Sequence, residues 1–240
     1  MISVCIATYN GEKYLREQLD SILLQIGQDD EVVISDDCST DGTLELLQSY
    51  HDDRIRILHH DSTSIRTSFP LDKPTHNFEN ALKHAKGDII FLADQDDVWL
   101  PGKVEKMVQA LKNADLAMHD CIIADTELNS IAPSYFDVVK VTTSAWRNAI
   151  KCTLLGCCMA MRRNVVEKAL PFPKTNVGHD LWLGMVADTK FRFSLVREPL
   201  LMYRKHGKSM TTAGTKSKYG LWFKMDYRLT IFRHLIKLLL

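Results

Sequence analysis

The chain has 240 residues, 45% of them hydrophobic, so it can bury a substantial core in one large domain with or without an appendage. Its 30 basic residues balance its 30 acidic residues, and this neutrality argues against a nucleic-acid binder. Residues 1–7 enter a strand pattern without a preceding basic segment, so we expect no signal peptide. Since no run reaches 18 apolar residues, we expect no membrane-spanning helix.

Strand and helix patterns alternate through the first half of the chain. Strands are predicted at residues 3–8, 31–35 and 55–58, each followed by turn residues. Between them, apolar residues recur at helical spacing from Leu15 to Leu23 and from Leu44 to Leu47, with Thr43 as the predicted N-cap of the second helix. This alternation is typical of βαβ crossovers and a largely parallel sheet.

Residues 59–75 form a long polar segment that contains Pro70 and Pro74 and lacks periodicity, which indicates either a functional loop that closes over a ligand or a disordered segment. A helix is predicted at 77–85 and strands at 89–93 and 116–124. The apolar run 152–161 is interrupted by Gly156 and is either a strand or a buried turn. We predict a helix that opens at His179-Asp180, then two short strands at 192–197 and 200–203.

Six cysteines are scattered along the chain without a C-x-x-C pair. Several lie in apolar, strand-like runs. We therefore interpret them as reduced and mostly buried, which predicts a cytoplasmic protein without a structural zinc site.

Three carboxylates, Asp94, Asp96 and Asp97, follow the strand predicted at 89–93 within four residues. Carboxylates this close raise one another's pKa unless a cation lies among them. Oxygen ligands of this kind favour Mg²⁺ or Mn²⁺, and ligands of open α/β sheets bind at the carboxyl ends of the strands. A metal site is therefore one interpretation of this turn, and a solvated acidic turn is the other.

Five motifs occur in the order of a known family. They are CIATYNGEKYLREQLDSILLQ, VISDDCSTDGT, NFENALKHAKGDIIFLADQDDVW, HDLWL and EPLLMYRKHGKSMT. Together, over about 210 residues, they resemble the family-2 inverting glycosyltransferases with the GT-A fold. The combination of DQDDVW, HDLWL and YRKHG most resembles the rhamnosyltransferase-like branch, which builds bacterial surface polysaccharides. The resemblance implies a mostly parallel sheet flanked by helices in residues 1–215, with a helical extension in residues 216–240.

Donor binding is implied at the loops that follow the first two strands. By resemblance, Thr8, Tyr9 and Glu12 line the place of the nucleotide base, which Tyr9 cradles. Asp36 resembles the family aspartate that contacts base and ribose, although a turn aspartate is the alternative. A role of Tyr9 in the core is likewise left open.

The resemblance also implies a metal shell. Asp96 is expected to ligate Mg²⁺ or Mn²⁺, Asp94 to lie near the ribose or the metal's waters, and His206 to complete the shell. Asp97 either joins this shell or caps the following turn. Arg204, beside His206, is expected to pair with the diphosphate.

Asp180, in HDLWL, is the expected general base, because an inverting transferase needs one carboxylate to take the proton of the attacking acceptor hydroxyl. His179 either orients the site or caps the helix. The QxxRW motif of processive relatives is absent, which favours transfer of one sugar to a glycan or lipid-linked glycan acceptor. The alternatives are a sugar nucleotidyltransferase, which position 9–12 disfavours, and a non-catalytic nucleotide- or carbohydrate-binding module.

Residues 216–240 carry six basic residues against one acid, Asp226. Apolar residues recur in this segment at three- and four-residue spacing: Leu221, Trp222, Met225, Leu229, Phe232, Ile236 and Leu239. This pattern predicts either an interfacial helix on an anionic membrane surface, at the inner face of the cell membrane, or a helix docked on the domain's own core. Because the last three residues are leucines without a polar end, we expect the natural protein to continue.

Overall fold

The computed structural model of the chain describes residues 1–63, 65, 69–174, 177–206 and 220–240. The predicted alternation of strand and helix is confirmed in the first half of the chain. Its elements are β1 (Ile2–Thr8), α1 (Glu12–Leu23), β2 (Glu31–Asp36), α2 (Thr43–Gln48), β3 (Ile55–His59), α3 (Asp72–His84) and β4 (Ile89–Ala93).

The second half contains shorter elements and one long strand. They are β5 (Val98–Trp99), α4 (Lys103–Ala110), β6 (Leu116–Ala124), β7 (Ser130–Ala132), α5 (Tyr135–Val139), α6 (Ala145–Ile150), β8 (Met159–Arg162), α7 (Arg163–Ala169), α8 (His179–Lys190), β9 (Phe193–Arg204) and α9 (Leu221–Leu239). The run around Gly156, left open between strand and turn, is a 3₁₀ turn at Gly156–Cys158 that leads into β8.

One sheet holds all of these strands, in the order β3-β2-β1-β4-β8-β6-β9-β5, with β7 beside β6. Strands β1 to β4 pair in parallel, as the alternating pattern predicts. Strand β8 is antiparallel to both β4 and β6, and β5 is antiparallel to β9. The mixed α/β sheet flanked by helices is the expected fold class, and the antiparallel strands of the second half complete it.

The parallel strands bring their carboxyl ends to one edge of the sheet. Thr8 of β1 lies beside Asp36 of β2, and Ile6 of β1 lies beside Ala93, the last residue of β4. Strand β2 is buried along its whole length. The loops after β1, β2 and β4, which carry most of the predicted site residues, therefore meet on one side of a rigid, fully packed sheet.

Three local predictions are wrong. Helix α3 begins at Asp72 rather than near residue 77, because Pro74 is tolerated in a first helical turn. Thr43 is not an N-cap: Gly42 precedes α2, and the Thr43 hydroxyl donates to Asp41 and accepts from the Gly11 amide at 2.8 Å. The two strands predicted at 192–197 and 200–203 are the single strand β9.

Strand β9 stays continuous because its pairing with β6 shifts register. The partners step from His119 beside Val196 to Asp120 beside Pro199, so two residues of β9 are left out of the ladder. Such a bulge lets a strand pass a proline, which has no amide hydrogen to give to the ladder.

All six cysteines are free thiols, and four of them (Cys5, Cys121, Cys157 and Cys158) are buried, as expected. Among the described residues, none of the helices is both long enough and apolar enough to traverse a lipid bilayer.

The C-terminal helix α9 packs against α6 and α8. Ile231 and Leu235 are fully buried there, and Tyr227 stacks on Phe69 with ring centroids 5.1 Å apart. The apolar stripe predicted from the sequence is mostly on the other side: Trp222, Met225, Leu229, Ile236 and Leu239 are exposed. Helix α9 thus carries two apolar faces, of which one is docked on the domain.

Candidate active site

Thr8 and Asp36 meet at the carboxyl ends of β1 and β2. The Thr8 hydroxyl donates to Asp36 Oδ1 at 2.9 Å, and Ser39 donates to the same carboxylate through its amide and its hydroxyl. Asp36 is fully buried. These bonds give Asp36 the turn-stabilising role that was its alternative interpretation, while its contact with a nucleotide stays a prediction.

Tyr9 is 57% exposed, which rules out the core as its place. Its backbone exchanges two hydrogen bonds with the Gln95 side chain, Tyr9 N to Oε1 at 2.9 Å and Nε2 to Tyr9 O at 3.1 Å. A Cβ on Gly11 would lie 2.5 Å from Gln95 Oε1, so Gly11 leaves the room that this amide occupies. Gln95, which the sequence did not single out, thereby ties the loop after β1 to the acidic turn.

Glu12 opens α1 and faces the loop after β2. Its carboxylate accepts from the Gly42 amide at 3.0 Å, while Asp41 accepts from the Glu12 amide at 3.3 Å. Asn10, Glu12, Lys13 and Asp41 line an open groove at this place. Of the residues predicted to surround the nucleotide base, Glu12 lines this groove.

The acidic turn after β4 holds three carboxylates in unequal environments. Asp97 is fully buried, and its Oδ1 accepts from the Arg204 amide at 2.9 Å. Burial raises the pKa of Asp97 well above its usual value, and the charges of Asp96 and Asp94 raise it further. Burial and the charge of Asp96 likewise raise the pKa of Asp94 to about 7.

Asp96 and His206, the two predicted metal ligands, lie together. His206 Nε2 is 2.7 Å from Asp96 Oδ2, although 110 residues separate them in the sequence. The Tyr14 ring stacks on the imidazole with centroids 5.4 Å apart and holds its orientation. The structure therefore places both side chains where one ion could reach them, and the ligand role itself stays a prediction.

Arg204 is buried, and its guanidinium has protein partners. It donates to the Asp96 carbonyl at 2.8 Å, to the Thr126 carbonyl and to Glu17, and it lies over the Tyr14 ring. Together with the hydrogen bond from the Arg204 amide to Asp97, these contacts hold the acidic turn in place. A diphosphate contact from Arg204 would need some of these partners to be released, so positioning of the turn is the role its geometry supports.

A second donor set lies deeper under the turn. Asp94, Asp97 and Cys157 each offer a ligand atom, and these atoms lie within 4.8 Å of one another. Asp97 Oδ2 has no hydrogen-bond partner among the described residues. The unpartnered oxygen and the raised carboxyl pKa values are the signs of a site that a cation would stabilise. The residues present thus fit a divalent metal at this turn.

Lys103, the first residue of α4, is a fully buried cation that the sequence did not reveal. Its ammonium donates to the Cys157 carbonyl at 2.9 Å and lies 4.2 Å from the Trp99 ring centroid. Burial lowers the Lys103 pKa, and the surrounding thiols and Asp97 act against this. Its charge lowers the pKa of Asp94, so Lys103 offsets part of the repulsion within the acidic turn.

Helix α8 begins at His179 and Asp180, as predicted. The Asp180 charge contributes to the raised pKa of Asp94, so the two carboxylates influence one another electrostatically. The His179 ring packs on Phe78 with centroids 4.2 Å apart, and burial lowers its pKa. A Cβ on Gly156 would lie only 2.7 Å from His179 Nε2, so the 3₁₀ turn and the start of α8 are in close contact.

Solved structures share this architecture. The chain aligns with S. aureus TarS residues 1–349, in complex with UDP-GlcNAc, at a TM-score of 0.71 and 20% identity, over 99% of this chain and 70% of that one. It aligns with the mannosyltransferase PcManGT of Pyrobaculum calidifontis, in complex with GDP-Man and Mn²⁺, at a TM-score of 0.59 and 21% identity, over 98% of this chain and 64% of that one. The fold is therefore of the GT-A type.

The profile of Glycosyl transferase family 2 matches residues 3–170. Because this span is more than half of the chain, the protein belongs to that family and is a glycosyltransferase. The nucleotidyltransferase and the non-catalytic binding module are thereby set aside.

Curated relatives extend over most of the chain. TuaG of Bacillus subtilis, whose name assigns it provisionally to teichuronic acid biosynthesis, is 26% identical over 93% of this chain and 86% of its own length. The dTDP-rhamnosyl transferase RfbG of Shigella flexneri is 25% identical over 89% of this chain and 76% of its own length. The Escherichia coli enzyme WfgD is a UDP-Glc:α-D-GlcNAc-diphosphoundecaprenol β-1,3-glucosyltransferase. It is 24% identical over 78% of this chain and 70% of its own length.

Proposed function

We propose that this glycosyltransferase moves a single sugar, a hexose or deoxyhexose, from a nucleotide-diphosphate donor to a glycan acceptor, with inversion at the anomeric carbon. The acceptor is lipid-linked and belongs to a bacterial capsule, O-antigen or other surface polysaccharide. The names of TuaG, RfbG and WfgD support this class of product, and that of WfgD supports a lipid-linked acceptor.

One observation carries the proposal: the 3₁₀ turn at Gly156–Cys158 lies beside both the acidic turn after β4 and the start of α8. The Cys157 thiol lies within 4.8 Å of carboxylate oxygens of Asp94 and Asp97, and a Cβ on the neighbouring Gly156 would lie 3.7 Å from the Asp180 Cβ. A leaving-group site and a general base must lie on opposite faces of the transferred sugar for in-line displacement. This placement supports a displacement in which Asp180 takes the acceptor proton.

The acidic turn would hold Mg²⁺ or Mn²⁺. We assign Asp96 and His206 as ligands on the donor side, since their side chains already meet at 2.7 Å, with Asp94 beside them. When bound, such a cation neutralises the negative charge that develops on the diphosphate leaving group. Arg204 and Tyr14 hold the turn and the imidazole in place.

The donor is expected on the loops after β1 and β2. Tyr9 is exposed there and free to cover the base, while Thr8 and Asp36 fix the floor of the site through their mutual hydrogen bond. Glu12 closes the groove at the start of α1. The UDP-GlcNAc and GDP-Man bound to the structural neighbours support a nucleotide sugar at this edge of the sheet.

The metal assignment is tested with Asp96→Ala. We expect loss of transfer and of Mn²⁺-dependent nucleotide binding without unfolding, because a carboxylate in a repulsive cluster contributes little to stability. Thermal shifts with UDP, GDP and dTDP, each with and without Mn²⁺, measure binding and narrow the choice of donor. Asp88→Ala, just before β4 at the other end of the strand, is the control. Retained Mn²⁺-dependent binding in Asp96→Ala would contradict the assignment.

The general base is tested with Asp180→Asn, which keeps the shape but cannot accept the proton. We expect turnover to fall by about 10²–10⁴-fold with donor binding kept. Asp188→Asn, two turns later on α8, controls for changes to the helix and is expected to leave turnover unchanged. Turnover of Asp180→Asn within a fewfold of wild type would point to another base, and retention of the anomeric configuration in the product would contradict inversion.

A lipid-linked acceptor places the enzyme in the cytoplasm, at the inner face of the cell membrane. The basic C-terminal segment supports peripheral attachment there. Residues 216–219 lie outside the described residues, so the structure describes this segment only from residue 220 onwards.

A further inference from the structure

Exposed apolar side chains are concentrated on two helices. Of the thirteen large apolar residues that are exposed in the described part of the chain, eight belong to α6, to α9 or to the residue that ends α9. They are Trp146, Ile150, Trp222, Met225, Leu229, Ile236, Leu239 and Leu240. Clusters of this kind on a soluble domain mark interaction sites.

Contact between Trp146 and Phe232 joins the two helices into one surface. Their ring centroids are 6.0 Å apart, and Trp146 is still half-exposed. Leu229 and Ile236 lie three residues before and four residues after Phe232, so they share its face of α9. Ile150 lies one turn after Trp146 on α6, on the same side. We call this set the α6–α9 surface.

Positive charge surrounds the α6–α9 surface. Arg147 and Lys151 flank the apolar residues of α6, and Arg228, Arg233 and Lys237 flank those of α9; all five are exposed. Two exposed acids lie on these helices or beside them: Asp226 on α9, and Asp188, which accepts from the Ala145 amide at the start of α6. The charge balance of the surface is therefore +3, in a chain whose formal net charge is zero.

We propose that the α6–α9 surface docks the enzyme on an anionic lipid bilayer, with the apolar side chains in the headgroup boundary and the five cations on the lipid phosphates. Aromatic and aliphatic side chains ringed by arginine and lysine have the chemistry of such a boundary. A protein partner would need acidic groups around an apolar patch, and a second copy of this surface would set cations against cations. The charge pattern therefore favours lipid.

The inner face of α9 packs against α8, the helix whose first turn carries Asp180. His234 lies edge-on to Trp182 of α8, with 5.9 Å between the ring centroids, and α8 begins at His179, next to Asp180. Burial raises the pKa of Tyr227 on the same inner face, and the charges of Cys152 and Asp180 add to this shift. Docking through the outer face would thus hold the site about one helix diameter, roughly 10 Å, from the lipid. This part rests on the proposed lipid-linked acceptor.

Vesicle binding tests the proposal without donor or acceptor, so its outcome is separate from that of the proposed function. The full chain is sedimented with vesicles of phosphatidylglycerol and phosphatidylcholine, and with phosphatidylcholine alone, at low salt. We expect binding to the anionic vesicles. The double variant Trp146→Ser/Ile150→Ser should bind about tenfold more weakly, because it loses the apolar insertion of α6. Arg147→Gln/Lys151→Gln should weaken binding by a similar factor, and added salt should remove that difference.

Matched controls change the same residue types elsewhere. Leu24→Ser removes an exposed leucine at the end of α1, and Lys112→Gln/Lys168→Gln removes two exposed cations outside the surface. Both are expected to bind like wild type, and circular dichroism with thermal melting confirms that every variant is folded. Absence of binding by wild type, or equal binding by the α6 variants, would overturn the proposal. So would concentration-dependent dimerisation that the α6 variants abolish, since this would assign the surface to a second copy.

Discussion

The contact between Gly156 and His179 makes the position of Asp180, the proposed general base, sensitive to one methyl group. In Gly156→Ala the new Cβ would lie 2.7 Å from His179 Nε2 and 3.7 Å from the Asp180 Cβ. To reach an ordinary contact of 3.4 Å, the imidazole must withdraw by about 0.7 Å. It cannot simply swing away, because Phe78 packs on its ring. The displacement therefore passes to the first turn of α8 and to Asp180.

Gly156→Ala is expected to lower both the folding stability and the turnover, and the size of each effect follows from a different cause. Overpacking of this kind costs about 1–3 kcal/mol of folding stability. A shift of the base by a large part of 1 Å lowers turnover by about ten- to a hundredfold, because proton transfer needs hydrogen-bond geometry. The substitution does not touch the loops after β1 and β2, where the donor is proposed to bind, so the donor KM is expected to stay within about twofold of wild type.

Steady-state kinetics below the melting temperature of every variant separate these effects. Gly87→Ala is the matched control, because its Cβ would meet the Ser3 amide nitrogen at 2.5 Å, at the amino ends of β1 and β4 and away from Asp180. It should lose stability and keep its turnover. Gly27→Ala, where the Cβ meets only Asp30 at 3.4 Å, should change neither. If Gly156→Ala turned over as fast as Gly87→Ala, the argument for α8 as the positioning element would fail.

Two further predictions concern stability. Asp52 binds the Arg54 guanidinium at 2.8 Å, and this hydrogen bond lowers the pKa of the Asp52 carboxyl. Since the folded-state pKa is depressed, the stabilisation is complete above the unfolded pKa of about 4 and is lost as the pH falls further. Urea denaturation should therefore show Asp52→Asn to be less stable by about 1 kcal/mol from pH 8 to 5, a difference that narrows below about pH 4. Leu235→Ala should cost about 2–5 kcal/mol and speed amide exchange in α9 but not in β2, whereas exchange unchanged in α9 would contradict the docking of this helix.

Local patterns were sufficient for the elements whose burial is regular. Strand β6 lies where the apolar run 116–124 predicts it, and α8 opens at the predicted His179. The parallel pairing of β1 to β4 also followed from their alternation with helices. Because parallel strands end at one edge of a sheet, the sequence alone could bring the loops that carry Asp36 and Asp94 to the same side of the molecule.

Local sequence patterns gave wrong predictions for segments whose structure depends on which neighbouring element they pack against. Helix α9 has two apolar faces, and the stripe that the sequence singled out is mostly the one left exposed, while Ile231 and Leu235 make the docked face. Periodicity reports that a face is apolar; it does not report which surface covers it. The same limitation applies to β9, whose register depends on where Pro199 meets β6.

The composition of the site was decided by contacts between residues far apart in the sequence. Asp96 meets His206, and Lys103 and Cys157 lie under the acidic turn, only after β4, β8 and β9 have taken their places in the sheet. A buried lysine or thiol has no local signature, because its partners arrive through tertiary packing. The sequence determined which carboxylates could serve the chemistry, whereas the tertiary structure decided their burial, their hydrogen-bond partners and the contact that brings Gly156 beside Asp180.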